Sequence, residues 1–172
     1  TLKSFTPQDG APEVIRKRII RDFDSAYVPE KTIVPSTEIV HDRVVLELFR
    51  GCIRGCRFCQ AGYVYRPVRA RSADRLTEQG IDMLKDTGYE EITLSSLSTS
   101  DYKELSPLCD GILRWCEDKK TSLSLPSLRA DNFSMEIMER VQKVRKSGLT
   151  FAPEAGTQRL RDAINKNVTE ED

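Results

Sequence analysis

Cys52, Cys56 and Cys59 are the residues of this chain best suited to chemistry. They stand in Gly51-Cys52-Ile53-Arg54-Gly55-Cys56-Arg57-Phe58-Cys59, a C-x3-C-x2-C run. Three thiolates this close either share one metal centre or repel one another. A structural zinc site asks for four ligands, usually as two paired knuckles, and only Cys56 and Cys59 have knuckle spacing. The lone histidine, His41, lies eleven residues upstream of Cys52 and offers the fourth ligand of a Cys3His zinc site. Ordinary ferredoxin clusters take four cysteines. With three, one iron of a [4Fe–4S] cube lacks a protein ligand and is open to an exogenous one, as in catalytic zinc sites.

The surrounding pattern is one of alternating strands and helices. Arg43-Val-Val-Leu-Glu-Leu-Phe49 is β-branched and apolar, and reads as a buried strand leading into the cysteine loop. Ser72 reads as a helix N-cap and Gly88 as the stop, with Leu76, Gly80, Ile81 and Leu84 on one face. Glu91 to Leu97 is a second strand. Leu105, Leu108, Cys109, Ile112, Leu113 and Cys116 mark a second helix face. Thr121 to Leu125 starts a third strand. Ile137, Val141 and Val144 mark a third helix stopped by Gly148. Leu149 to Ala152 reads as a fourth strand, and Leu160, Ala163 and Ile164 begin a fourth helix.

This is a parallel α/β arrangement with crossover helices, in which functional residues gather at the C-terminal ends of strands. Those ends are the cysteine loop, Ser95–Thr99, Ser127–Asp131 and Glu154–Thr157. Residues 1–42 read as a lead-in broken by prolines, with a short basic helix over Val14–Phe23 and an edge strand over Thr32–Val40. The residues from 43 to 172 form the α/β domain.

With the strand before it and Phe58 just ahead of the third cysteine, the C-x3-C-x2-C loop resembles the signature of the radical S-adenosylmethionine superfamily. The resemblance extends over about residues 40–172. Arg50-Gly-Cys52, Cys59-Gln-Ala-Gly62, Arg66-Pro-Val-Arg-Ala-Arg-Ser72 and Phe151-Ala-Pro-Glu-Ala-Gly156 are similar to segments of its methylthiotransferase-like and cobalamin-linked branch. The resemblance implies a partial (β/α) barrel of six units, of which four are present here. It implies a [4Fe–4S] cluster on Cys52, Cys56 and Cys59, whose open iron binds S-adenosylmethionine. It further implies an external electron donor, reductive cleavage to a 5′-deoxyadenosyl radical, and hydrogen abstraction from a substrate. Members of that branch carry further domains on either side of the barrel.

By the same resemblance the cofactor-binding residues are Phe58, Ser96, Ser98, Arg129 and Glu154. The superfamily's Gly-Gly-Glu segment after the second strand is replaced here by Ser95-Ser96-Leu97-Ser98-Thr99, where Ser96 and Ser98 offer hydroxyls or cap a helix. Arg129 offers a clamp for the cofactor's carboxylate or an ion pair with Asp131 or Glu154. Glu154 offers a carboxylate to ribose hydroxyls or an ammonium group, or sits at a helix N-terminus.

Between residues 43 and 75 the basic residues are all arginine: 43, 50, 54, 57, 66, 69, 71 and 75. They suit an RNA or phosphorylated small-molecule substrate, with Tyr63 and Tyr65 as stacking platforms, or else a solvated basic loop. With few aliphatic residues, residues 51–70 are expected to depend on bound metal for their order. Cys109 and Cys116 lie seven apart on an apolar helix face and read as inert buried thiols.

Lysine plus arginine equals aspartate plus glutamate, 27 each, so net charge argues for neither nucleic acid nor membrane. No apolar run approaches the roughly 20 residues that span a bilayer. Five cysteines, an odd number, fit a disulfide framework poorly and point to a reducing, cytoplasmic compartment. The chain starts without methionine or a signal-peptide pattern, and is expected to be cut from something longer. The rival to an iron–sulfur enzyme is a non-enzymatic zinc or nucleic-acid-binding module using Cys52, Cys56, Cys59 and His41.

Overall fold

A computed structural model describes residues 4, 6–146 and 148–172. Its centre is a three-stranded parallel sheet of β1 (Val44–Glu47), β4 (Glu91–Ser95) and β5 (Ser122–Ser124), in that order. Register aligns Val44 with Ile92 and Leu46 with Leu94, and Ile92 in turn with Leu123. Paired residues share a face, so these five apolar side chains make one buried rank. The opposite rank carries Val45, Thr93 and Ser124, with Glu47 beside Ser95. The stretch 43–49 is thus buried on one face only, since Val45 is 47% exposed and Glu47 is exposed.

The helices cover the apolar rank. The helix α2 (Ala73–Thr87) begins where the Ser72 hydroxyl accepts the Arg75 N–H, and ends at Gly88 in the left-handed conformation. It packs on β1 and against α3 (Leu105–Lys119). At that contact Gly80 allows close approach: a Cβ there would lie 2.9 Å from both Ile92 Cδ1 and Leu46 Cδ1, and those side-chain ends would have to shift. The next helix, α4 (Met135–Val144), is capped by Ser134 and packs on α3 and β5. Right-handed crossovers put α2 and α3 on the same side of the sheet, consistent with an incomplete barrel.

After β1 the chain forms a short antiparallel pair, β2 (Phe49–Arg50) with β3 (Arg69–Ala70), which clasps the base of the cysteine loop. Between them lies the single turn α1 (Ala61–Val64). The last helix, α5 (Gln158–Ala163), is capped by Thr157.

Two expectations need correction. Among the described residues of the lead-in there is neither a helix over 14–23 nor a strand over 32–40. Val14, Ile15, Ile33 and Val40 are all exposed, and a short helix with no face to bury is marginal in water. In place of the fourth strand there is one parallel bridge, Leu128 to Phe151. The fourth helix is present as expected; the side chain it buries is Arg161, and Leu160 is 42% exposed. Arg161 is drawn inward because its guanidinium donates to the Val168 and Ala155 carbonyls.

Candidate metal and cofactor site

The cysteine loop leaves the C-terminal end of the sheet through Gly51, whose φ is +103°. A side chain there would strike the Tyr65 carbonyl oxygen at 2.3 Å. Gly62 on α1 lies so close to the loop that a Cβ would come within 2.2 Å of the Arg54 carbonyl oxygen. Cys52 and Cys56 are buried, Cys59 is half-buried, and all three are free thiols. The Cys59 N–H donates to the Cys56 carbonyl at 3.1 Å, closing the turn between them. Among the described residues no three His, Cys, Asp or Glu side chains are gathered as a metal would gather them.

The loop is bonded by its neighbours as well as carrying the three thiols. Asn165 Nδ2 donates to the Gly55 carbonyl at 2.8 Å, and the Arg57 N–H to the Ile164 carbonyl at 2.9 Å. Arg66 reaches back to the Ile53 carbonyl at 2.9 Å. The strongest tie is Arg54. Its Nε donates to Asp101 Oδ2 at 2.8 Å and its Nη1 to Asp131 Oδ2 at 3.0 Å. Asp101 sits in a turn at Thr99–Asp101, after β4, and also accepts from Ser98 Oγ at 2.7 Å. Burial pushes its carboxyl up, but bonds from Arg54, Ser98 and Asn132 outweigh that and hold it below the ordinary carboxylate range.

Arg129, 7% exposed, completes the network. It bonds Asp131 through Nε at 2.8 Å and Nη2 at 3.0 Å, and its Nη1 stands 4.0 Å from Cys56 Sγ. Its Nη2 also donates to the Lys166 carbonyl, and Lys166 Nζ pairs with Glu154 Oε1 at 3.2 Å. Two arginines and two aspartates therefore tie three strand-end loops into one unit beside a thiol.

Of the residues singled out in the sequence, this unit brings together Cys56, Ser98, Arg129 and, through Lys166, Glu154. Of Arg129's three expected roles, the pair with Asp131 is present, and Glu154 pairs with Lys166 instead. The Ser98 hydroxyl is used on Asp101. Ser96 Oγ lies 3.1 Å from Thr99 Oγ1 within the same turn. Phe58 is 54% exposed. His41 lies elsewhere: it precedes β1, against Arg43 Nη2 at 2.5 Å, while the cysteines follow the strand's far end. Sequence reading missed Asp101 altogether. The one local signal was its place at a strand's C-terminal end, two residues past the serine-rich run.

Most of the arginine run is also committed internally. Arg43 pairs with Glu91, Arg50 with Glu47, and Arg75 with Glu78. Arg57 bonds the Ala163 carbonyl, and Arg71, buried over the Phe23 ring, bonds the Phe23 carbonyl at 2.8 Å.

The sequence profile of the Radical SAM superfamily matches residues 46–172. This chain belongs to the radical SAM superfamily. It is 38% identical over 128 residues to an uncharacterized protein of Methanocaldococcus jannaschii, a match covering 74% of this chain and 27% of that protein. It is 23% identical over 140 residues to a provisionally assigned methylthiotransferase of the same organism, covering 74% and 30%. Threonylcarbamoyladenosine tRNA methylthiotransferase of Bacillus subtilis is 26% identical over 98 residues, covering 57% and 19%. The chain thus spans less than a third of the length of each of these relatives. No helix among the described residues is long and apolar enough to cross a membrane.

Proposed function

We propose that this chain is the core of a radical SAM enzyme of the methylthiotransferase-like branch. Cys52, Cys56 and Cys59 would hold a [4Fe–4S] cluster, and its open iron would take S-adenosylmethionine. The donor set fits such a cluster: three free thiols share one loop at the C-terminal side of a parallel sheet, with a guanidinium against one of them. When bound, the cluster supplies the electron, delivered by an external donor, that cleaves S-adenosylmethionine to a hydrogen-abstracting radical.

The chain's own residues have positioning work here. Arg54 and Asp101 anchor the loop between its first and second cysteines. Arg129 places a guanidinium 4.0 Å from Cys56 Sγ, where it would face an anionic thiolate-ligated group. Ser96 and Ser98, beside the end of β4, are proposed to meet the cofactor's polar groups, with Phe58 of the cysteine loop and Glu154 of the segment before α5 as its further contacts. Glu154 holds a left-handed φ of +68° while paired to Lys166, a backbone state few non-glycine residues adopt.

The observation that carries this reading is the cysteine triad at the end of β1 in a chain whose superfamily profile begins within that strand. The Cys3His zinc alternative is opposed by His41, which lies at the other end of β1. Anaerobic reconstitution with iron and sulfide, followed by reduction with S-adenosylmethionine present, tests it. A brown protein that releases 5′-deoxyadenosine and methionine is the expected result. A colourless protein that retains stoichiometric zinc supports the rival.

A further inference from the structure

Arg69 stands apart from the other arginines of its run. In the β2–β3 pair it lies directly opposite Arg50. Opposed residues of an antiparallel pair share a face, so two cationic side chains start from neighbouring positions, which is unfavourable unless each is neutralised. Arg50 is neutralised: its Nε and Nη2 bond the two oxygens of Glu47 at 2.8 and 2.9 Å. That bidentate pairing occupies the Glu47 carboxylate. Arg69 Nε is shielded from water and has no hydrogen-bond partner among the described residues. A buried, unpaired donor on a cation costs stability that nothing in the surrounding protein returns.

The same arginine lines a cavity of about 430 Å³, within the usual range for small-molecule sites. The cavity opens at the C-terminal ends of β1 and β4, where Glu47 and Ser95 are in register on the face turned away from the helices. Its walls combine hydroxyls from Ser95 and Ser96 with the apolar surfaces of Phe49, Tyr65 and Leu97, and Gly51 borders it one residue before Cys52. Cation, hydroxyls and apolar wall suit a molecule with an oxyanion at one end and a flat or apolar body.

We propose that Arg69 is a binding residue for the substrate, anchoring a carboxylate or phosphate oxyanion in this cavity beside the cysteine loop. The assignment to substrate rests on the radical SAM reading, and Ser96, proposed there for the cofactor, borders this cavity too; the oxyanion site itself does not depend on that reading. The anion supplies the counter-charge that Glu47 gives to Arg50, and accepts from the otherwise unpaired Nε.

The test uses the 172-residue chain without metal and follows arginine Nε–H resonances by NMR, with Arg69 assigned by its loss in Arg69→Lys. Inorganic phosphate and acetate are titrated separately. Saturable movement of the Arg69 resonance is expected with at least one of them, and the tighter of the two identifies phosphate or carboxylate as the substrate group. Arg69→Gln should weaken that binding about tenfold or more, the loss of a charge-assisted hydrogen bond. It should also leave Tm unchanged or higher, because it relieves the opposition to Arg50, and the added anion should raise Tm in the wild type only. A resonance unmoved by both anions, or a lower Tm in Arg69→Gln with anion binding intact, overturns the proposal in favour of a structural arginine. Displacement of phosphate by S-adenosylmethionine overturns the assignment to substrate. Failure of cluster assembly in a chain that still binds the anion would sink the radical SAM reading and leave the oxyanion site standing.

Discussion

Arg54 and Asp101 are joined by two hydrogen bonds across 47 residues of sequence, and the pair fastens the cysteine loop to the end of β4. The Asp101 side chain is 6% exposed, and that of Asp131, the second partner of Arg54, is 12% exposed. Arg54→Leu therefore strands buried negative charge. It should destabilise the fold by on the order of 3 kcal/mol. Adding Asp101→Asn should cost less than the two single changes combined. A double-mutant cycle by urea unfolding checks this, and strict additivity would show that the pair carries no coupling.

Acid should expose the same carboxylate. The folded-state pKa of Asp101 is depressed, so its contribution is complete above the unfolded value of about 3.9 and fades as pH falls through the lower folded value. Stability measured between pH 5 and pH 2, a range set by roughly those limits, should fall less steeply in Asp101→Asn than in the wild type.

Alkali acts through the other cysteines. Burial pushes the Cys109 and Cys116 thiols up to about 12. The folded state then keeps protons that the unfolded chain releases above about pH 8.5, so stability drops as pH rises past that point. Cys109→Ala with Cys116→Ala should flatten the decline. Iodoacetamide at pH 8 should label Cys59 readily and these two only after unfolding, since thiolate character and exposure govern the reaction, with about 8.5 as the ordinary thiol pKa.

Iron content separates ligands from core. Cys52→Ala, Cys56→Ala or Cys59→Ala should each abolish cluster assembly, while Cys109→Ala and Cys116→Ala should keep full iron and sulfide. Loss of iron in Cys109→Ala would undo the core assignment of α3.

Gly62→Ala tests the loop's shape without touching a ligand. The added Cβ meets the Arg54 carbonyl oxygen, a backbone atom that can move only with the loop. A cost of about 1–3 kcal/mol is expected, typical of overpacking, together with impaired iron uptake. Gly88→Ala, with open space around its Cβ position, should cost about 1 kcal/mol through its left-handed φ alone and leave iron uptake normal.

What could be read beforehand was what is written locally. Ser72 and Gly88 announce the two ends of α2 because a cap and a left-handed stop are properties of single residues. Cys52, Cys56 and Cys59 carry, through their spacing, a resemblance to the superfamily whose profile matches residues 46–172. Of the Arg54–Asp101–Asp131–Arg129 network only the Arg129–Asp131 pair, two residues apart, could be read; the ties from Arg54 were invisible because they join separate loops, and charged residues in loops look alike until the fold brings them together. The buried side of α5 was hidden for a related reason: Arg161 buries itself by donating to carbonyls no pattern reveals. The lead-in helix failed because a basic, apolar stretch forms a helix only where something covers it.

The tie between Asn165 and Gly55 has a temporal meaning. These residues are 110 apart in sequence. At about 5–20 residues per second, a ribosome makes Asn165 on the order of 5–20 s after Gly55. During that interval the three thiols have emerged, but the segment that braces their loop does not yet exist. Long-range contacts also form late, because closing a long chain segment comes before the bond rewards it. The cysteine loop therefore reaches its final shape near the end of synthesis of this region, and nascent chains carry three unbraced thiols open to stray metals and oxidants until then.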